Sequence, residues 1–265
     1  MIFNRNSRIL KESSTFKLGT TRIPSTKEYT YLGISFSLNG AMSRAQNMLR
    51  QKSLRSFFAL KRIVDIRFIK KSVLLKLFDS LILPIATYGC QTWLPMTFFA
   101  KSLGNPSKEL LSELAKDPIE KMHLTFLKWI LGVKRSTSNV AVWGETGRYP
   151  LAIMVIKQVL QYSNRLELKS ELNDESLVRF ALEEQKTLSL KWYTNLTNIK
   201  EFANSIVART PSENPQRIQH NLQLYFIDKW NAQRKMQSKL SFYNEIKESF
   251  GMERYLEMNL SNHES

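Results

Sequence analysis

The stretch Lys27–Gly40, "KEYTYLGISFSLNG", marks the point where the sequence changes from a strand-like to a helical pattern. Aromatic and β-branched side chains suit the pleated surface of a strand, and the stretch contains Tyr29, Tyr31, Ile34 and Phe36. A glycine inside such a run, here Gly33, is typical of a bulge or of a close backbone approach. After Asn39-Gly40, a turn signal, the apolar spacing becomes helical and positive charges crowd together. We therefore expect a negatively charged backbone to lie across this junction.

Length and composition are those of a globular protein with one or two compact units. The chain has 265 residues, of which 43% are hydrophobic, enough for a core without disulfides. The single cysteine, Cys90, excludes an internal disulfide and fits a reducing compartment. No signal-peptide pattern is present, and the longest apolar run contains Lys76 and Asp79, which favours a buried helix over a membrane span. These features predict an intracellular protein, without distinguishing nucleus from cytoplasm.

The net charge is large and unevenly distributed. The chain has 39 basic and 23 acidic residues, a net charge of +16. Residues 1–134 contain 22 basic and 8 acidic residues, a net +14, whereas residues 135–265 contain 17 and 15, a net +2. An excess concentrated in one part of the chain is the footprint expected of a polyanion-binding surface. The alternative is a solvated basic surface that keeps the protein soluble.

Residues 41–64 have the 3.6-residue period of an amphipathic helix. Its predicted core-facing stripe consists of Met42, Ala45, Leu49, Leu60 and Ile63. On another side, Arg44, Arg55 and Arg62 project within about 20° of one another, with Lys52 nearby. A row of guanidinium groups along one helix can follow a phosphate backbone. The alternative is a set of ordinary exposed charges, but the pattern gives the row no acidic partners, which favours the binding hypothesis.

The rest of the chain is predicted to be mostly helical. A second helix is expected from about residue 66 to 93, kinked at Pro84, with a buried stripe of Ile69, Val73, Leu77, Leu81 and Ile85. A third is expected to end at Gly132. Further helical patterns cover most of residues 151–208 and 218–255. The predicted fold class is therefore mainly α with a small N-terminal antiparallel β-element, a basic helical bundle and a second helical region.

Residues that could carry catalysis are few and scattered. The histidines His123, His220 and His263 lie far apart, and with one cysteine they give no zinc-ligand spacing. We expect His123 and Cys90 to be packed in the core. Two-metal chemistry needs converging carboxylates, whereas the basic part has only isolated acids such as Asp65, a turn or cap, and Asp79. Glu145 and Arg148 are expected to form a helix-terminal ion pair. The pattern therefore predicts no active site.

Five segments, in order, resemble the region after the polymerase palm in non-LTR (LINE-type) retrotransposon reverse transcriptases. They are "EYTYLGISFSLNG", "LRQKSLRSFFALKR", "LLKLFDSLILPIATYGCQTW", "LTFLKWILGVKRSTSNVAVWGETGRYPL" and "KLSFYNEIKESFGMERYLEMN". Together they span nearly the whole chain, from Met1 to about Asn259. Each segment is degenerate by itself, but their common order carries the resemblance.

The resemblance implies a division of the chain and a role for each part. Residues 1–40 would be the edge of the palm and the primer-grip hairpin, with Tyr31, Leu32, Gly33 and Ile34 similar to the primer-grip turn. Residues 41–134 would be a basic, thumb-like helical domain, and residues 135–265 a C-terminal helical region. The family's Mg²⁺-binding aspartates, in a Phe/Tyr-Ala-Asp-Asp turn, would lie upstream of Met1. We therefore expect a truncated element, with no cofactor of its own and inactive alone, since Mg²⁺ belongs to the full-length enzyme.

The leading hypothesis is that this chain binds RNA–DNA or other duplex nucleic acid without catalysing a reaction. The residues expected to contact phosphates are Arg44, Lys52, Arg55, Arg62, Lys70 and Lys71. One alternative is an RNA-directed DNA polymerase, by homology with the family. Another is an inert or interaction-only helical protein whose basic helices pack on a palm-containing polypeptide. No membrane partner is expected.

Overall fold

A computed structural model describes residues 17–23, 26–97, 110–172, 176–206 and 215–256. The described N-terminal part is antiparallel β-structure: β1 (Lys17–Leu18) pairs with β2 (Thr21–Arg22), and β3 (Glu28–Tyr31) pairs with β4 (Ile34–Ser37). The remaining regular structure is helical. The predicted fold class, mainly α with a small N-terminal β-element, is therefore confirmed.

The β3–β4 hairpin turns within two residues. Tyr31 pairs with Ile34, so Leu32 and Gly33 form the turn, and both have positive φ, 46° and 80°. Positive φ at both central positions is the geometry of a type I′ turn, whose twist matches that of the flanking strands. The residue pattern alone predicted one strand with a bulge at Gly33; the structure has two strands, because the chain reverses at this glycine.

The described part of the chain contains these helices in sequence order. They are α1 (Ser43–Ile63), α2 (Lys71–Ala86), α3 (Cys90–Thr97), α4 (Leu110–Lys116), α5 (Pro118–Leu131), α6 (Asn139–Thr146), α7 (Leu151–Leu172), α8 (Leu177–Thr187), α9 (Lys191–Ser205), α10 (Pro215–Met236) and α11 (Ser241–Ile246). The predicted stop at Gly132 is confirmed, since it caps α5 with φ 68°. Short 3₁₀ turns at Ser238–Leu240 and Arg254–Leu256 complete the series.

The second predicted helix is interrupted, and a different side of it is buried. Residues 78–82 of α2 form a π-turn, and the chain bends by 74° between α2 and α3, where Gly89 has φ 59°. Pro84 lies just after the π-turn. Because proline has no N–H, it cannot donate a regular helical hydrogen bond to the preceding turn, which is consistent with the irregular geometry there. Leu74, Phe78 and Ile82 are fully buried.

The predicted stripe on α2 lies beside the real one and was wrong in part. Val73 is 42% exposed and Leu81 is 51% exposed. Both stripes are apolar with the same four-residue spacing, so the period by itself could not choose between them. A similar correction applies at Ile63, which is 84% exposed although the other four members of the α1 stripe are buried. It is the last residue of α1, where the chain leaves the core.

One hydrophobic cluster runs through the molecule from Ile34 to Leu240. Helix α1 packs on α5 and α2, α3 packs on α7 and α9, and α7 packs on α10 and α8. These contacts cross the boundary predicted near residue 134, and β4 contacts α1 across the boundary near residue 40. The division into functional units at these positions stays a prediction.

No helix in the described ranges is by itself long and apolar enough to cross a membrane. Helices α2 and α3 reach the required length and hydropathy only when they are counted together across their bend.

Candidate nucleic-acid interface

Helix α1 contains six basic residues and no acidic residue. Ala45, Leu49, Phe57 and Leu60 bury one face in the core. The amphipathic period therefore leaves a continuous outer face whose only formal charges are positive. Because a helix rises 1.5 Å per residue, Arg44 and Arg62 at the two ends of this face lie about 27 Å apart along the axis.

Three of the predicted contact residues lie on this face as free cations. Lys52, Arg55 and Arg62 are exposed. Among the described residues, no carboxylate forms an ion pair with any of them. Exposed arginines without partners keep their five donors available to solvent or to an anion. The structure brings these three residues together, and their contact with phosphate stays a prediction.

Arg44 corrects the expectation that the row has no acidic partner. Its guanidinium forms an ion pair with Glu28 of β3, and both side chains are about half exposed. The pair joins the start of α1 to the hairpin that precedes it. Because Glu28 lies in a strand sixteen residues earlier, helical periodicity could not show the partner. Arg44 is therefore less available to an anion than Arg55 or Arg62.

The two lysines at the start of α2 differ from each other. Lys70 is exposed, whereas Lys71 donates a 2.7 Å hydrogen bond to the carbonyl of Ile66. Partial burial lowers the pKa of Lys71, because desolvation disfavours its charged form. In the same turn, hydrogen bonds from Arg67 lower the pKa of Asp65 to about 2. Lys70 therefore extends the free basic surface, while Lys71 and Arg67 are engaged within the protein.

An exposed aromatic ring lies within the row and was missed by the sequence analysis. Phe58 is 49% exposed and lies three residues after Arg55 and four before Arg62. On a helix these spacings place the three side chains on one face. The spacing of Phe58 is visible in the sequence, but a charge pattern does not indicate an apolar residue.

The residues of the predicted primer-grip turn divide between surface and core. Tyr31 and Leu32 are 58% and 72% exposed, whereas Ile34 is buried. The Tyr88 hydroxyl donates a 2.8 Å hydrogen bond to the carbonyl of Leu32, which fixes the turn on the bend between α2 and α3. A Cβ added at Gly33 would lie 3.4 Å from the same tyrosine ring. The structure docks the turn on Tyr88, and its role in binding a primer stays a prediction.

The isolated polar residues have structural partners. Arg148 pairs with Asp79, with one hydrogen bond of 2.9 Å, rather than with Glu145. Glu145 accepts a hydrogen bond from Tyr255. The predicted Glu145–Arg148 pair is therefore wrong, because tertiary packing brings Asp79, from the π-turn of α2, to the end of α6.

His123 and Cys90 are packed in the core as expected, with 0% and 1% exposure. His123 Nδ1 lies 3.1 Å from the buried carboxylate of Glu120, and the Cys90 thiol lies 2.9 Å from Oε1 of Gln158. Burial raises the pKa of Cys90 to about 12. Within the described part of the chain, no group of three or more metal-ligating side chains gathers.

Comparison of the chain with protein-family models, with curated proteins and with solved structures finds no match.

Proposed function

We propose that this protein binds duplex nucleic acid through the outer face of α1, and that it does so as a non-catalytic part of a retrotransposon-type reverse-transcription apparatus. The observation that carries the binding proposal is an acid-free helix whose exposed face presents Lys52, Arg55 and Arg62 without carboxylate partners in the described residues. The association with reverse transcription rests on the sequence resemblance. The proposal includes an intracellular location.

The physical basis of binding is neutralisation of phosphates. Lys52, Arg55 and Arg62 lie along one helix, and Lys70 lies beyond its end. Each phosphate that a cation neutralises releases condensed counterions, which favours association and makes it depend on salt. Such contacts carry no base information, so we expect affinity without sequence preference.

The salt dependence of binding tests this proposal quantitatively. With four free cations, the logarithm of the affinity for a labelled RNA–DNA hybrid should fall with the logarithm of salt concentration at a slope of about −4. Fluorescence anisotropy between about 50 and 200 mM salt measures the slope. A slope near zero, or no binding at the lowest salt, would contradict the proposal and favour the interaction-only alternative.

A pair of double variants locates the surface. Arg55→Gln/Arg62→Gln should weaken binding to every hybrid sequence alike and reduce the slope by about 2. The matched control is Arg165→Gln/Arg254→Gln, which removes two exposed arginines elsewhere. Equal weakening by both pairs would mean that net charge, and not the α1 face, determines the affinity.

Primer extension separates this binding role from a polymerase. The purified chain should incorporate no labelled nucleotide on a primed RNA template with Mg²⁺ present. Incorporation that survives repeated purification would contradict the non-catalytic part of the proposal and leave the binding part to be judged by the anisotropy measurements.

A further inference from the structure

Phe58 interrupts the basic face with an aromatic ring placed between two arginines. Along the axis, Arg55 and Arg62 are separated by about 10 Å, and Phe58 lies between them on the same face. Nearly half of the Phe58 side chain is exposed to solvent. This exposed aromatic residue therefore belongs to the same surface as the free cations.

The Phe58 ring is supported from beneath. It stacks on Phe57 with ring centroids 5.2 Å apart and planes inclined by 28°. Phe57 is buried and packs edge-on against Phe126 and Trp129, at 5.5 and 5.4 Å. A buried aromatic cluster thus restrains Phe58, so binding a ligand on its exposed side costs little additional ordering.

An ordinary duplex offers partners for the cations of this face but none for the ring. Its bases are stacked inside the helix, and its outer surface offers phosphates and sugars. A single strand offers phosphates together with unpaired bases, and proteins that bind single strands combine a basic track with aromatic stacking platforms. The alternation of Arg55, Phe58 and Arg62 matches that second combination.

We propose that this face also takes single-stranded nucleic acid, with one unpaired base stacked on Phe58 and the neighbouring phosphates on Arg55 and Arg62. The inference rests on the proposed function for its phosphate contacts and adds a base contact that the proposed function does not require. Stacking is tolerant of sequence because every base has an aromatic face. The ligand class is therefore a flexible strand with unpaired bases.

Two strands of equal charge isolate the base contact. A short oligothymidylate and the same backbone with abasic sites differ only in their bases. Wild-type protein should bind the oligothymidylate about 5- to 150-fold more tightly, the range expected for one stacked base. Phe58→Leu should remove most of this preference and leave the affinity for the RNA–DNA hybrid and its salt slope unchanged.

Phe242→Leu is the matched control, since Phe242 is an exposed phenylalanine on α11; it should keep the preference. Phe58→Trp should keep the preference for the oligothymidylate. The fluorescence that this variant gains over the wild type should be quenched by the oligothymidylate and not by the abasic strand. An unchanged preference in Phe58→Leu, or its absence in the wild type, would overturn this inference while leaving salt-dependent duplex binding intact. If the wild-type protein did not bind the duplex, or if its duplex binding did not depend on Arg55 and Arg62, that result would instead count against the proposed function.

Discussion

Gly89 lies where the bend between α2 and α3 meets the β3–β4 hairpin. Its φ is 59°, and a Cβ added there would come within 2.2 Å of Ile34 Cδ1. A side chain at this position is opposed both by the left-handed backbone and by the docked hairpin. Gly132 has a similar φ of 68° but has no atom within 4 Å of the corresponding Cβ position.

The two glycines form a matched pair for a stability experiment. Gly132→Ala should lower the free energy of unfolding by about 1 kcal/mol, the cost of left-handed backbone at a residue with a Cβ. Gly89→Ala should lower it by about 2 kcal/mol, because the buried Ile34 side chain must also shift. Urea unfolding measures both values. In an Ile34→Val background, which lacks Cδ1, the cost of Gly89→Ala should fall toward that of Gly132→Ala. Equal costs for the two glycine variants in the wild-type background would contradict this account.

Glu120 is a buried carboxyl group that contacts three polar groups of neighbouring elements. Trp143 Nε1 donates to it at 2.9 Å, the backbone N–H of Leu151 donates at 2.8 Å, and His123 Nδ1 lies 3.1 Å away. These contacts join α5 to α6 and to the start of α7. Within this cluster, Glu120 is the common acceptor.

Removing the Glu120 carboxylate should therefore destabilise the protein strongly. Glu120→Ala leaves the buried Trp143 and Leu151 donors without their acceptor and removes the contact to His123, and it should cost about 3 kcal/mol or more in unfolding free energy. Glu120→Gln, which keeps one acceptor oxygen, should cost less. Glu183→Gln is the control, because Glu183 is half exposed in a surface pair with Arg179, and its loss should change stability by less than about 0.5 kcal/mol. A cost for Glu120→Ala as small as the control's would contradict the network.

At the scale of elements, the β3–β4 hairpin has a leucine at a turn position whose backbone conformation leucine disfavours. Leu32 has φ 46° although a branched side chain disfavours the left-handed region, and its side chain is 72% exposed. Asn-Gly is the preferred pair for a type I′ turn. The leucine thus contributes little burial at a position where asparagine would fit the backbone better.

Leu32→Asn should stabilise the protein by about 0.5–1 kcal/mol, because it relieves part of the cost of left-handed backbone. The Tyr88 hydrogen bond goes to the backbone carbonyl and should be retained. Leu188→Asn is the control: Leu188 is also exposed but has φ −84°, so no gain is expected there. A higher urea midpoint in Leu32→Asn alone supports the assignment, and a lower one would contradict it.

At the scale of the whole molecule, one hydrophobic cluster runs through the protein. A residue buried in this cluster should therefore become accessible only when the whole protein unfolds. Cys90 lies at the start of α3, is 1% exposed and belongs to the cluster that reaches from the hairpin to the C-terminal helices. Its pKa is raised to about 12, chiefly by desolvation. The reactive thiolate is therefore scarce in the folded protein and inaccessible to reagents.

Thiol labelling should consequently follow unfolding of the entire protein. At about pH 8, a disulfide reagent should react with Cys90 slowly in buffer, and the rate should rise with urea together with global unfolding. Since folding raises the thiol pKa from 9.0 to about 12, this group's contribution to stability is present below pH 9 and is lost as pH rises toward 12. Rapid stoichiometric labelling of folded protein would contradict a single cooperative core.

The sequence by itself determined the helical class, the amphipathic span of α1, the stop at Gly132 and the acid-free basic face. These features depend on backbone geometry within a few residues, which local patterns encode. The same period placed Lys52, Arg55 and Arg62 on that face, but only the structure shows that no carboxylate among the described residues pairs with them. Phe58 could have been placed there by the same period.

Only the tertiary structure decided which of two equivalent apolar stripes of α2 is buried, and which acids pair with which bases. Glu28 reaches Arg44, and Asp79 reaches Arg148 across 69 residues. It also decided that the hairpin tip docks on Tyr88 and Gly89. The physical reason is that such contacts depend on how distant elements pack, and no local period carries the relative position of two helices or of a helix and a strand.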